Sequence, residues 1–367
     1  MTTSYLISAR RSPVASRNGA LAHLELHALA APVLAAALQD AGLAPGQVGE
    51  LIVANSLGAG GNPARVIALG AGLPETVAGL SIDRQCVGGL DALILADAMI
   101  RSGQHDIVIA GGVESYSRRP VRMRTFADGR EPEAYDQAQF TPWSERDPDM
   151  AIAAHDLAQH LEISREEQDI WAMQSHANAM AQLAPADIVE IAGLNDDSFK
   201  RNLSQNHCNR AAVISGDITA ANMAVAADGA AFVVMASEKF VQSNGLDAVA
   251  FTTGKTLGGD PTLPGLAPVA AIQETLAAAG LTTSQLTSVE IMEAFAVQAI
   301  ACQRGAKIPK NIINQKGGAL ARGHPIGASG AILAVRLFHE LRANGGTGLA
   351  TIAAAGGLGT AVILQNL

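Results

Sequence analysis

Two apolar periods alternate along the first third of the chain. Runs at residues 5–9, 50–54, 79–83 and 106–110 have the length and composition of strands, and Gly111-Gly112 closes the last of them. Between them, residues 25–41, 64–70 and 91–101 carry apolar side chains at three- and four-residue spacing and read as helices. Gly42 stops the first, and Leu90, Leu93, Ile94, Ala98 and Met99 mark the buried stripe of the third. Strands alternating with helices predict an α/β fold with a largely parallel or mixed sheet. After Ser117 the alternation ends. Residues 118–221 gain Arg, Asp, Glu, Gln, Asn and His, and read as an inserted, partly helical lobe. Its clearest helix starts at Ser164, with Glu167 completing a capping box, and runs through Trp171 and Met180. A buried strand at 229–235 brings back regular structure.

The second half then repeats the first. Leu38, Ala41, Gly42, Leu43 and Gln47 are matched without a gap by Leu276, Ala279, Gly280, Leu281 and Gln285, an offset of 238 positions. Leu51 and Val53 fall opposite Val289 and Ile291, so a helix, a turn and a strand recur together. The same offset carries Cys86 onto His324. Each stands where a short strand turns into a helix, and two halves packed about a pseudo-twofold axis would bring those turns face to face.

Composition narrows the class. A chain of 367 residues with 49% hydrophobic and 16% charged residues and 37 glycines has enough apolar surface for a large, tightly turned core, in two domains or one duplicated domain. No apolar run approaches the roughly 20 residues of a membrane span, and the first ten residues lack a basic-then-apolar leader, so the expectation is a cytoplasmic protein. Cys86, Cys208 and Cys302 are too few and too scattered for a disulfide framework or a zinc site, and no metal is expected. The net charge of −9 argues against nucleic-acid binding. An anionic ligand would need a local basic patch, which Arg118, Arg119, Arg122 and Arg124 supply.

Most cysteines are inert core residues, but Cys86 opens a helix, where free N–H groups and the dipole favour a thiolate. Gly88 and Gly89 behind it let a substrate approach the backbone. A histidine beside such a thiol serves as base and then as acid, and His324 is the candidate. The histidines of the insert, among them His155, His160, His176 and His207, read as surface residues.

These motifs resemble the thiolase family over nearly the full length. Ala9-Arg10-Arg11-Ser12-Pro13 is similar to the family's opening strand and turn, and Cys86 with Gly88-Gly89-Leu90 to its nucleophile turn. Gly323-His324-Pro325-Ile326-Gly327-Ala328-Ser329-Gly330 is similar to its histidine motif, and residues 163–169, 219–222 and 228–231 to its loop domain and the return from it. The resemblance implies a duplicated five-layered αβαβα fold. The two halves would be residues 1–118 with 222–247 and residues 248–367, around an inserted loop domain at 119–221. It implies a homodimer or homotetramer, acyl-CoA and coenzyme A as substrates, and no cofactor beyond them.

By the same resemblance Cys86 takes the acyl group and His324 activates it. The positions around the oxyanion and substrate are Met292, Glu293, Phe295, Ala353, Ala355 and Gly356, and coenzyme A passes Ala224 and Gly323. Three of these depart from the family pattern. A second catalytic Cys is expected where Ala353 stands, a water-holding Asn at Met292, and a Ser for the pantetheine arm at Ala224. Cys208 and Cys302 are not placed to substitute, which leaves His324 or Glu293 to take over the lost proton transfer. The expectation is an acyltransferase acting on acyl-CoA or 3-ketoacyl-CoA through a Cys acyl-enzyme, with carbon–carbon chemistry in question. The alternative is a non-catalytic acyl-CoA-binding or scaffolding subunit that works with a partner protein.

Overall fold

The computed structural model describes residues 3–182 and 185–367. Its first half sets strand β1 (Ser4–Arg11), helix α1 (Leu26–Asp40), β2 (Glu50–Ala54), α2 (Pro63–Gly70), β3 (Leu80–Ile82), α3 (Gly88–Arg101) and β4 (Ile107–Ser115). The inserted stretch holds α4 (Met150–His160) and α5 (Arg165–Ala181), and β5 (Ala227–Ser237) returns to the sheet. The second half supplies β6 (Val249–Gly258), α6 (Ala267–Ala279), β7 (Ser288–Ile291), α7 (Ala296–Gly305), α8 (Ile326–Asn344), β8 (Gly346–Ala354) and β9 (Leu358–Asn366).

Strand order is β7-β8-β9-β6-β1-β5-β4-β2-β3. The halves join edge to edge where Ser4, Tyr5 and Leu6 pair with Phe251, Ala250 and Val249. Strand pleating sends alternate residues to opposite faces, and three cores result. Leu51 and Val53 of β2 pack outward with Leu29, Leu34 and Ile67 of α1 and α2, whereas Ile52 points inward to Leu90 and Leu93 of α3 and Ala331 and Leu333 of α8. In the second half Val362 and Leu364 join that inner core, and Ile363 packs outward with Ile272 and Val297 of α6 and α7. The layers therefore run αβαβα, with α3 and α8 in the middle.

The repeat holds at this level. β2 and β7 begin 238 positions apart, as do α3 and α8. Gly42 and Gly280 end equivalent helices at φ 65° and 66°, a left-handed conformation that glycine adopts without a Cβ penalty.

Gly111 and Gly112 do not close the fourth strand. β4 runs on to Ser115, and its glycines are there for close approach: a Cβ would lie 2.0 Å from the Ala231 carbonyl oxygen at Gly111 and 2.1 Å from that of Gly327 at Gly112. The third helix also starts earlier than its apolar stripe, at Gly88, because a Cβ on Gly89 would stand 2.4 Å from the Ala331 nitrogen. α3 and α8 thus touch backbone to backbone at their N-terminal ends.

In the insert, α5 begins as read, with Ser164 accepting from the Glu167 N–H. His176 is a correction. It is buried, accepts from the Arg201 N–H, and burial lowers its pKa to about 4.

Candidate active site

Cys86 sits on a single 3-10 turn, Gln85–Val87, that runs directly into α3. Gln85 before it holds φ 53°, a left-handed conformation uncommon outside glycine and typical of strained functional turns. His324 precedes α8, with Pro325 at the N-cap. Its own N–H donates to the Val225 carbonyl. Since α3 and α8 meet at their N-terminal ends, the two turns face each other, and Cys86 Sγ lies 3.1 Å from His324 Nε2.

Ser329, one turn into α8, fixes the imidazole. His324 Nδ1 is 2.6 Å from Ser329 Oγ, whose single proton is directed to the Pro325 carbonyl at 3.2 Å. With its proton on the Pro325 carbonyl, the hydroxyl is free to accept from Nδ1–H, the tautomer that leaves the Nε2 lone pair facing the thiol. Burial pushes the Cys86 thiol up to about 12, with Glu114 and Asp83 adding to the rise, and lowers His324 to about 4. Desolvation outweighs the helix-end effect expected at this turn, so both groups rest neutral. They can exchange a proton when a carbonyl arrives.

The pair opens into a cavity of about 660 Å³. Ala224, Phe295, Ala353 and Ala355 line it with Cys86 and His324. A short segment clamps the walls: the Ala224 N–H donates to the Ala294 carbonyl at 2.9 Å, and Ala226 bridges to His324. Ala353 turns a methyl group to the space where the family resemblance expects a thiol.

Four of the expected positions lie elsewhere. Met292 is buried in the central core, its N–H continuing the ladder to the Thr351 carbonyl. Glu293 is buried outside the cavity lining, where its two oxygens accept from Trp171 Nε1, Ser175 Oγ, Asn314 Nδ2 and the Leu320 N–H. Gly356 forms the left-handed turn between β8 and β9 at φ 73°. Gly323 turns the chain into the histidine motif at φ 112°, where a Cβ would meet that of Ala227 at 2.8 Å. Cys208 and Cys302 are buried outside the cavity lining.

Glu114 is the residue the sequence reading missed. It is fully buried at the end of β4, and burial lifts its carboxyl to about 7. One oxygen accepts from Asn55 Nδ2 and the Leu57 N–H, the other from the N–H groups of Ser56 and Gly327. It ties the start of α8 to the first half directly behind the Cys86–His324 pair. A carboxylate in an otherwise apolar strand was the available signal.

The thiolase N-terminal domain family matches residues 4–239, and the thiolase C-terminal domain family residues 247–366. VraB of Staphylococcus haemolyticus, itself named only provisionally as an acetyl-CoA C-acetyltransferase, is 34% identical over 381 residues, spanning 100% of this chain and 99% of that protein. Human mitochondrial 3-ketoacyl-CoA thiolase, solved in complex with CoA, superposes with a TM-score of 0.92 at 29% identity, covering 100% of this chain and 98% of that one. The acetyl-CoA acetyltransferase of Bacillus anthracis gives 0.91 at 31% identity, with 100% and 99% covered. Fold and relatives together define an acyltransferase-type enzyme. The chain belongs to the thiolase family. No helix among the described residues is long and apolar enough to cross a membrane.

Proposed function

We propose that this enzyme transfers acyl groups from coenzyme A thioesters through an acyl-enzyme on Cys86, with His324 as the base, and that carbon–carbon bond making or breaking is its weak step. The observation that carries the reading is the 3.1 Å contact between Cys86 Sγ and His324 Nε2 at a cavity of about 660 Å³. In the first half-reaction the Sγ proton passes to Nε2 as sulfur attacks the thioester carbonyl. The bond to the coenzyme's sulfur then breaks, and the imidazolium returns the proton to the departing thiolate. Joining the acyl group to a carbon acceptor needs a further group to take a proton from that carbon. A methyl at Ala353 cannot do so, and a general base is worth about 100- to 10,000-fold.

The reading extends to a homodimer or homotetramer in the cytoplasm that acts in lipid metabolism; its support is the family resemblance. Intact-mass spectrometry with acetyl-CoA and, separately, acetoacetyl-CoA tests it. An acyl adduct and released coenzyme A are expected, both absent in Cys86→Ala. No adduct from either ester, with binding retained, would put a non-catalytic acyl-CoA-binding subunit in its place.

A further inference from the structure

We propose that the cavity is built for acyl chains that end in a carboxylate, held by Arg119 and Arg122. The proposal rests on Cys86 carrying the acyl group and names the class of acyl group it carries.

Four arginines crowd the stretch after β4, and the fold sorts them. Arg118 turns out to Glu25, and Arg124 lies over the Tyr135 ring. Arg119 and Arg122 turn in and line the same cavity as Cys86. They also line a second space of about 240 Å³, which shares Tyr116, Tyr135 and Asp136 with the first and adds Arg17 to its wall.

Both guanidiniums are half-buried and short of anionic partners. Arg119 meets Asp136 at 3.1 Å, but that carboxylate is 89% exposed, and pairs open to water contribute little. Arg122 has no carboxylate partner among the described residues. Two carboxylates share this wall: Asp83, taken up by the Ser56 hydroxyl and the Gln85 N–H, and Asp136, open to water. That leaves the partly dehydrated guanidiniums to a planar, two-oxygen anion.

Position tells which anion. Arg122 Nη2 donates to the Ser56 carbonyl at 2.6 Å. Ser56 Oγ donates to Asp83, and Asp83 accepts from the N–H of Gln85, the residue before the thiol. Arg119 stacks 5.5 Å from the centre of the Tyr116 ring, and Tyr116 lines the cavity with Cys86. Arg122 is therefore tied to the turn that carries the nucleophile, and Arg119 to a ring that shares its cavity. The pantetheine arm places the first phosphate of coenzyme A about 15 Å from its sulfur, counting ordinary bond lengths. An anion held against the turn that carries the thiol belongs to the acyl side of the thioester.

Hexanoyl-CoA and adipyl-CoA form a matched pair, alike in chain length and ending in methyl or carboxylate. The readout is the ratio of their rates of adduct formation on Cys86, followed by intact mass, together with inhibition by free coenzyme A. The double variant R119Q/R122Q is expected to lower the adipyl-to-hexanoyl ratio about 10- to 100-fold, the range for a lost charge-assisted contact. R119K/R122K, which keeps the charges, is expected to retain most of the preference. A ratio unmoved in the Gln variant overturns the proposal. So does a fall matched by an equal loss of affinity for free coenzyme A, which would assign the guanidiniums to its phosphates. If wild type forms no adduct with either ester, the acyl-enzyme reading itself fails, and this proposal with it.

Discussion

Replacing Ser329 by Ala tests the base assignment most directly. In the resting site the Ser329 hydroxyl accepts from His324 Nδ1–H at 2.6 Å and donates to the Pro325 carbonyl. When the thiol proton moves to Nε2 the ring becomes a cation, and the Nδ1 bond becomes charge-assisted. Such bonds are worth about 1.5 to 3 kcal/mol, which converts to a loss of about 10- to 150-fold in acylation rate. The variant also frees the ring to hold its proton on Nε2, where it cannot serve as base. Stability should fall by no more than about 1 to 3 kcal/mol, the cost of leaving a buried ring nitrogen without its partner, and urea unfolding reads that loss separately from the rate. The assay is single-turnover labelling of Cys86 by acetyl-CoA. With the thiol near 12 and the imidazole near 4, the wild-type rate should be flat from about pH 6 to about pH 9, both partners being neutral throughout. S329A within twofold of wild type would refute the argument. So would a wild-type rate climbing with pH across that window, because the attacking species would then be a free thiolate that needs no base.

Two further substitutions probe the same site. Ala353→Cys places a thiol on the cavity wall, at the end of β8 opposite Gly359, where added atoms enter open space. Thiolytic cleavage of acetoacetyl-CoA should rise about 100-fold or more relative to Cys86 labelling; equal cleavage in both forms would show that the missing thiol is not what limits this step. Glu114→Gln turns an amide NH2 against two of the four N–H donors that the carboxylate now accepts. A loss of about 2 to 4 kcal/mol in urea unfolding is expected, and a loss below about 0.5 kcal/mol would mean that the donors find other acceptors. Burial raises this carboxyl from 4.5 to about 7, so the folded chain keeps a proton that the unfolded chain has released. Its contribution to stability is accordingly full below about 4.5 and declines as pH rises toward 7, and the Gln variant should lack that slope.

What the sequence disclosed and what it hid follow from where each residue's partners lie. The duplication was legible because its landmarks are local: a glycine that ends a helix, a strand after it, a thiol or imidazole before the next helix. Cys86 and His324 could be paired through that offset with no knowledge of packing. Glu114 and Gly327 are 213 positions apart, with no repeat relation to link them, and only the meeting of the central helices reveals the contact. Likeness to a family names positions, but the direction of the strand ladder decides which way each side chain turns. Met292 continues the ladder to β8 and packs in the core, where the resemblance expects a polar group. Ala224 and Ala353 line the cavity with methyl groups where the resemblance expects a hydroxyl and a thiol. Set against the family resemblance, the three positions offer fewer hydrogen-bonding groups near the thioester, while Arg119 and Arg122 of the inserted segment bring charge to the cavity wall. On the two proposals above, polarity lies toward the far end of the acyl chain rather than at the reacting carbon, which is the arrangement needed by a site that recognises what its acyl group carries.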